Sequence, residues 1–211
     1  MYRPKHFDEP HFERLHEFVR EQPFGTIVSQ GEAGLEASHV PFLIDAVPDS
    51  PGRLFGHLAR ANPQWRAFDG EAECLTVFQG PHAYVSPAWM ESASNVPTWN
   101  YVAVHAYGRP EVIEDPDRVR AGIERLVATS EAFRSSPWAT GKAPADFIDG
   151  LLRGIVAFDL PIDRIEGKWK LSQNKSEADR RGIIRGLEAE GGEASSDLAR
   201  VMRDRLGRFR S

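Results

Sequence analysis

Phe24-Gly25-Thr26-Ile27-Val28-Ser29-Gln30-Gly31-Glu32-Ala33-Gly34-Leu35-Glu36-Ala37-Ser38-His39-Val40-Pro41-Phe42-Leu43-Ile44 is the stretch that decides the fold. Phe24 to Gln30 reads as a strand, Gln30 to Gly34 turns the chain, and Leu35 to Ile44 reads as a second strand. Towards the C-terminus the pattern repeats. Pro48 to Gly52 turns into a strand over Arg53 to Ala59, and a short helix around Pro63 to Phe68 leads to Glu73 to Gln79 and Tyr84-Val85-Ser86. A last pair runs from Thr98 to Ile113, bent at Gly108-Arg109-Pro110. Short antiparallel strands joined by Gly- and Pro-bearing turns predict a sandwich or barrel. Towards the N-terminus, Phe12, Leu15, Phe18 and Val19 repeat at helical spacing and predict a helix from Glu9 to Glu21, capped by Asp8 and stopped by Pro23.

After Ile113 the period changes. Asp115 caps a helix with Pro116 in its first position, and Val119, Ile123, Leu126 and Val127 share a face. A second helix is expected from Pro144 to Leu152 and a returning strand from Ile155 to Leu160. Lys168 to Lys175 reads as neither strand nor helix. Ser176, with Asp179 three residues on, opens a helix in a capping-box-like arrangement, and Leu198, Met202 and Leu206 mark a final amphipathic helix. The class is therefore α+β. The expected domains are a strand-built domain over residues 1–175, with a helical insertion at about 115–153, and a C-terminal helical extension over 176–211.

Composition narrows the function. Hydrophobic content of 41% and charged content of 27% are ordinary globular values. The single cysteine, Cys74, excludes an internal disulfide framework and reads as a small buried hydrophobe. The N-terminus lacks an apolar signal region and no stretch approaches a membrane span, so the expected location is cytoplasmic, with no membrane partner. Net charge of −5 argues against a long-range, non-specific nucleic-acid binder. The charge is uneven, however: Lys168 to Ser211 holds 11 basic and 7 acidic residues, which permits a basic face there.

Three segments are dense in ligand-binding side chains. In the first, His39 and His57 face one side together if their strands are neighbours, with Arg60 and Asn62 beside the N-terminus of the Pro63 helix. Such donors make a phosphate seat. On the residues alone, a satisfied barrel histidine and a solvated strand end explain the same pattern more simply. In the second, Thr98, Asn100 and Val102 share one strand face, and Trp99, Tyr101 and Ala103 the other. An aromatic pair stacks on a planar ring and an amide reads its heteroatoms, while core packing accounts for one or two aromatics but less well for Asn100 and His105. In the third, Lys168 to Lys175 is rich in donors, and Trp169 is costly to leave exposed. Rival chemistries lack their motifs. The seven histidines are scattered and no HExxH or paired-cysteine pattern exists, so no metal is expected. There is no dinucleotide-binding glycine motif, P-loop or nucleophile elbow.

Four blocks resemble the PaiB-like family of FMN-binding negative transcriptional regulators of bacteria. They are MYxPxxF at the N-terminus, YxSPxW at Tyr84 to Trp89, VPTWNYxxVHxYG at Val96 to Gly108 and KLSQN at Lys170 to Asn174. The likeness covers nearly the whole chain. It implies an antiparallel, Greek-key split β-barrel related to pyridoxamine phosphate oxidase, with flanking and C-terminal helices, and a homodimer holding FMN at the subunit interface. The resemblance places His39 and Pro41 along the flavin ring and His57, Arg60 and Asn62 at the phosphate side. It places Trp99, Asn100, Tyr101 and His105 on the dimer-facing strand, and Lys170, Ser172, Gln173 and Asn174 in the loop closing over the site. The chain departs from the family after Trp89, where Met90 to Asn95 is short and carries no lysine.

Function stays open among three readings. The first is a flavin-binding regulator, with DNA contacted through the C-terminal basic helices, although no helix-turn-helix with a convincing recognition face is visible. The second is an FMN-dependent oxidoreductase or flavin reductase acting on a small molecule, since the cofactor brings its own redox chemistry. The third is a structural dimer with a vestigial site. The residues name no catalytic group.

Overall fold

A computed structural model describes residues 1–31, 34–48 and 50–207; the tips of two expected turns, at 32–33 and 49, and the last four residues of the expected extension lie outside them. Among the described residues, nine strands and five α-helices follow in the order β1 (Asp8–Glu9), α1 (Phe12–Glu21), β2 (Phe24–Gly31), β3 (Gly34–Pro41), β4 (Leu43–Val47), β5 (Ser50–Ala59), β6 (Cys74–Val85), β7 (Thr98–Gly108), β8 (Glu111–Val112), α2 (Pro116–Glu131), α3 (Ala145–Arg153), β9 (Ile155–Lys170), α4 (Glu177–Glu190) and α5 (Glu193–Gly207). The hydrogen-bonded strand order is β3-β2-β6-β7-β9-β5-β4, with β1 and β8 each pairing β9. The class is α+β, as its periodicities predict. Among the described residues, no helix is long and apolar enough to cross a membrane.

The chain divides into two compact units. An internal unit holds Phe12–Phe78 and His105–Ile165, and a terminal unit holds Met1–His11, Gln79–Val104 and the chain from Glu166 onward. In the internal unit, Leu54 and Leu58 alternate inward along β5, beside a cluster of Phe42, Phe78 and Phe158 packed edge to face at 5.5 and 6.1 Å between centroids. The other face of β5 carries Phe55, which joins Leu43, Ile113 and Ala157 under Leu126 of α2. Gly122 of α2 lies so close to the Phe55 ring that a Cβ there would stand 2.2 Å from it, so only glycine lets the helix approach. Asp115 caps α2 as expected, its side chain accepting from the Asp117 N–H.

In the terminal unit, β1 pairs with the end of β9, and α4 and α5 form a hairpin that buries Ile183, Leu187, Leu198 and Met202. The hairpin turns through Gly191 and Gly192, with φ of 74° and 85°, a region that glycine enters without strain.

The structure corrects several boundaries. Asp8 does not cap α1; it pairs with Lys168 in β1, and the helix starts at Phe12. The expected strand Leu35 to Ile44 is two strands parted at Phe42, the first pairing β2 and the second pairing β5. The two strands expected on either side of Gly80 are one, β6, whose buried residues change parity between Gly80 and Ala83 as Pro81 interrupts the alternation. The returning strand runs ten residues beyond Leu160, so the first three residues of the supposedly irregular Lys168 to Lys175 are strand.

Candidate functional site

In the internal unit, the outer face of the β2–β3 hairpin carries four residues in register. Phe24 stands opposite Pro41 and Thr26 opposite His39, and opposed residues share a face. His39 is exposed, its Nδ1 is 2.9 Å from Thr26 Oγ1, and the Phe24 ring, 64% exposed, stacks on it at 6.2 Å. His57 does not join His39 across a ladder, because the half of the predicted strand that carries His39 pairs with β2. His57 instead lies opposite Ala157 of β9. Its Nδ1 is buried with no hydrogen-bond partner, and burial holds its pKa below the usual histidine value.

Arg60 and Asn62 are both engaged. Arg60 donates from Nε to the Arg153 carbonyl at 2.8 Å and from Nη2 to the Ile155 carbonyl at 2.7 Å, which leaves Nη1 as its unused nitrogen. Asn62 accepts from the Gln64 N–H at 3.0 Å and donates to Ser38 Oγ at 2.8 Å. The helix that was expected to help seat a phosphate is a single 3₁₀ turn over Pro63–Ala67, and Asn62 already fills its N-cap. Gln64, which the sequence did not single out, is buried and donates to the Ile27 and Glu36 carbonyls and to Ser29 Oγ. His105, also in this unit, is half-buried beside Tyr107 at 6.3 Å between rings. Cys74 is a buried thiol pushed up to about 11, chiefly by burial and then by Asp69 and Glu73, which leaves it protonated and inert.

In the terminal unit, β7 separates its candidate residues by face. Asn100 is fully buried and paired with Ser172, at 3.0 Å from Nδ2 to Oγ, while Met202 of α5 lies 3.6 Å from the same nitrogen. Ser172 adopts φ 60°, a left-handed backbone that turns the chain sharply after β9. On the opposite face, Trp99 is 53% exposed and meets the Tyr84 ring edge to face at 6.3 Å. Tyr101 is half-buried, with Lys168 Nζ 5.4 Å from its ring centroid. Lys170 donates to Thr98 Oγ1 at 2.6 Å, and burial lowers its pKa, with Lys168 acting in the same direction. Gln173 ties its own turn together, donating to the Trp169 carbonyl and accepting from the Leu171 N–H, while Asn174 is exposed.

Sequence reasoning missed the residue that secures the short loop after Trp89. Asp179 of α4 accepts from the N–H groups of Glu91 and Ser92 at 2.8 and 3.0 Å and from Ser92 Oγ at 2.7 Å, and these bonds hold its carboxyl at about 2. Ser176 caps α4 by accepting from the Asp179 N–H, so the capping half of the expected box forms while the Asp179 side chain turns to the loop. Lys175 reaches Asn95 Oδ1 at 2.6 Å, and Gly182 and Gly186 leave room for Trp89. The signal present in the sequence was the Gly-x-x-x-Gly spacing on α4, which has meaning only once Trp89 is seen against it.

Residues 1–164 match a family described as "Putative FMN-binding domain". The chain belongs to this FMN-binding family. It is 36% identical over 206 residues, 98% of each chain, to "Protease synthase and sporulation protein PAI 2" of Bacillus subtilis strain 168. It is 32% identical over 230 residues, 90% of this chain and 92% of the other, to an uncharacterized protein of Emericella nidulans. Among solved structures it resembles the FAD- and heme-binding protein of Mycobacterium smegmatis, at TM-score 0.58 and 18% identity over 88% of this chain and 80% of that one. The fold is thus the split barrel of flavoproteins and the cofactor of the family is FMN. The residues of each unit, taken by itself, fit that cofactor: the internal unit has an orphaned buried nitrogen on His57 and an uncommitted guanidinium nitrogen on Arg60, and the terminal unit has exposed aromatic rings and a partly desolvated ammonium, the kinds of donor and stacking group a phosphorylated planar ring requires.

Proposed function

We propose that this FMN-binding chain acts as a PaiB-like negative transcriptional regulator, a cytoplasmic homodimer with flavin at the subunit interface. The observation that carries the reading is the exposed aromatic row on β6 and β7. Trp99 and Tyr84 are 53% and 40% exposed on one face, and neighbouring rings left this open mark a surface that a ligand or partner covers. Each unit, taken by itself, carries a set of residues suited to FMN. His39, Pro41, His57 and the free nitrogen of Arg60, with Asn62 bracing the strand end, serve the ribityl phosphate and one side of the ring. Trp99, Tyr101 and Lys170 stack and supply charge, with Asn100, Ser172, Gln173, Asn174 and His105 shaping the strand and loop behind them. When bound, FMN supplies electron-transfer chemistry. Lys170, held by Thr98, offers a fixed positive charge to whatever anionic group approaches.

One observation weighs against DNA contact through the C-terminal helices and keeps a second reading, an FMN-dependent oxidoreductase, under test. The arginines of α4 and α5 expected to face DNA are largely paired with carboxylates: Arg181 with Glu177, Arg200 with Asp197, Arg203 with Glu188 and Arg205 with Glu9. A phosphate backbone must displace those partners to gain the same cations. Fluorescence-anisotropy titration of the FMN-loaded protein against its own upstream DNA separates the two. Salt-sensitive, sequence-selective binding supports the regulator, whereas weak, sequence-blind binding together with flavin bleaching by NADH or NADPH under anaerobic conditions supports the oxidoreductase.

A further inference from the structure

In the internal unit, α2 and α3 do not close fully on the sheet. Between them and the first residues of β9 lies a cavity of about 650 Å³, within the size range of small-molecule sites. Its apolar lining includes Ile113, Val119, Leu152, Val156 and Trp65. The charged lining is segregated. Arg60 and Arg153 stand where β5 ends and α3 runs into β9; Glu114 and Asp117 stand just beyond β8, at the first turn of α2.

The strand ladders fix how far apart these two groups are rooted. β5 pairs with β9 as Ala59 opposite Ile155, and β8 pairs with it as Val112 opposite Phe158, with the Ile113 N–H continuing to the Ala157 carbonyl. β5 and β8 thus flank the same stretch of β9 on its two sides, so Arg60, at the end of β5, is rooted about two strand spacings, roughly 9–10 Å, from the acids, while Arg153 sits on the chain that leads into β9 between them. A third charged pair, Arg120 with Asp149, bridges α2 and α3 and neutralises itself. Among the described residues, the side chains of Arg153, Glu114 and Asp117 make no hydrogen bond or ion pair with one another or with anything else. A cavity of mixed apolar and charged lining, with uncompensated charges of opposite sign, suits a ligand bearing the complementary pair.

We propose that this cavity binds an amphipathic zwitterion of dipeptide size, its carboxylate towards Arg153 and its ammonium towards Glu114 and Asp117. Length selects the class. An extended dipeptide holds its two charges about 7 Å apart, so side chains reaching in from the two sides each take one of them. A single amino acid holds its two charges on one carbon and reaches only one wall. The apolar lining takes the side chains. The cavity shares only Arg60 with the proposed flavin contacts, since His39, Pro41, His57 and Asn62 do not line it, and Arg60 already has two of its nitrogens committed to carbonyls.

The test is calorimetric titration of the full-length, FMN-loaded protein with the dipeptide Leu-Leu, its N-acetyl derivative and its C-terminal amide. The flavin absorbance of the same sample reports cofactor loading independently. Leu-Leu is expected to bind, and each blocked form to bind about tenfold more weakly or less. Glu114→Gln should abolish the preference over the N-acetyl form and Arg153→Ala the preference over the amide; both positions are exposed, so the unfolding temperature should not move. No heat with Leu-Leu, or equal binding of all three compounds, overturns the proposal. So does binding that appears in FMN-free protein and vanishes on flavin loading, which assigns the cavity to the cofactor. A sample that takes up no FMN yet discriminates among the peptides leaves the cavity standing and removes the flavin reading instead.

Discussion

The two faces of β7 carry residues from a single motif and do opposite jobs. On one face Asn100 is sealed from solvent, its amide shared with Ser172 and Met202; on the other, one residue away, Trp99 is half open to solvent. Both belong to Val-Pro-Thr-Trp-Asn-Tyr, and a motif read as a string assigns them to the same cofactor. Strand geometry does not permit that, because neighbouring side chains point to opposite sides of a sheet. Asn100 builds the strand's support, and Trp99 is the residue left free to meet something.

That contrast can be broken in graded steps. The largest effect belongs to Met202→Ala, which removes a nearly fully buried side chain from behind Asn100 and should cost about 2–5 kcal/mol in denaturant unfolding. A value near zero would mean that α5 does not support the strand. Asn100→Ala should follow at about 1–3 kcal/mol, since it strands the Ser172 hydroxyl in a buried place. Trp99→Ala should change the stability of the subunit by less than about 0.5 kcal/mol, yet lower FMN affinity or the dimer fraction in sedimentation. Equal destabilisation by Trp99→Ala and Asn100→Ala would erase the distinction between the faces.

The smallest effect is confined to acid. Asp179 has its carboxyl held at about 2 against an ordinary 3.8. A folded-state pKa below the unfolded one gives stability that is present above the ordinary value and is lost as pH falls towards the folded one. The wild type should therefore lose stability between about pH 4 and pH 2 more steeply than Asp179→Asn, and the substituted protein should be cleaved sooner by protease in the loop after Trp89 at neutral pH. Superimposable acid limbs would show that the Asp179 bonds contribute nothing.

The sequence was most legible where local chemistry and periodicity agree. Asp115-Pro116 opens α2 as expected, and the hairpin from Phe24 to Pro41 follows its alternation and its Gly-bearing turn. It was least legible where one apolar run serves two partners. In Val40 to Ile44 only Pro41 marks the place where the chain leaves β2 and joins β5, and both halves are equally hydrophobic, so the pattern left open whether His39 and His57 lie on neighbouring strands. Of the candidate site, residue types and blocks were visible, but their orientation was not. The bonds that occupy Arg60, Asn62 and Asn100 run to residues 93, 24 and 72 positions away, and separations of that kind leave no trace in local pattern. Asp179 was hidden for the same reason: it fitted a helix-capping pattern, and its carboxylate is engaged 87 residues upstream.

The central claim is that this chain binds FMN through the open face of β7 and not through the sealed one. Equilibrium dialysis of FMN against the wild type, Trp99→Ala and Lys170→Ala, read by flavin absorbance, tests it most directly. The account predicts near-stoichiometric uptake by the wild type and weaker uptake by both variants while their unfolding curves stay close to the wild type's. A wild type that remains colourless after dialysis, or variants that load FMN as tightly as it does, would contradict the claim.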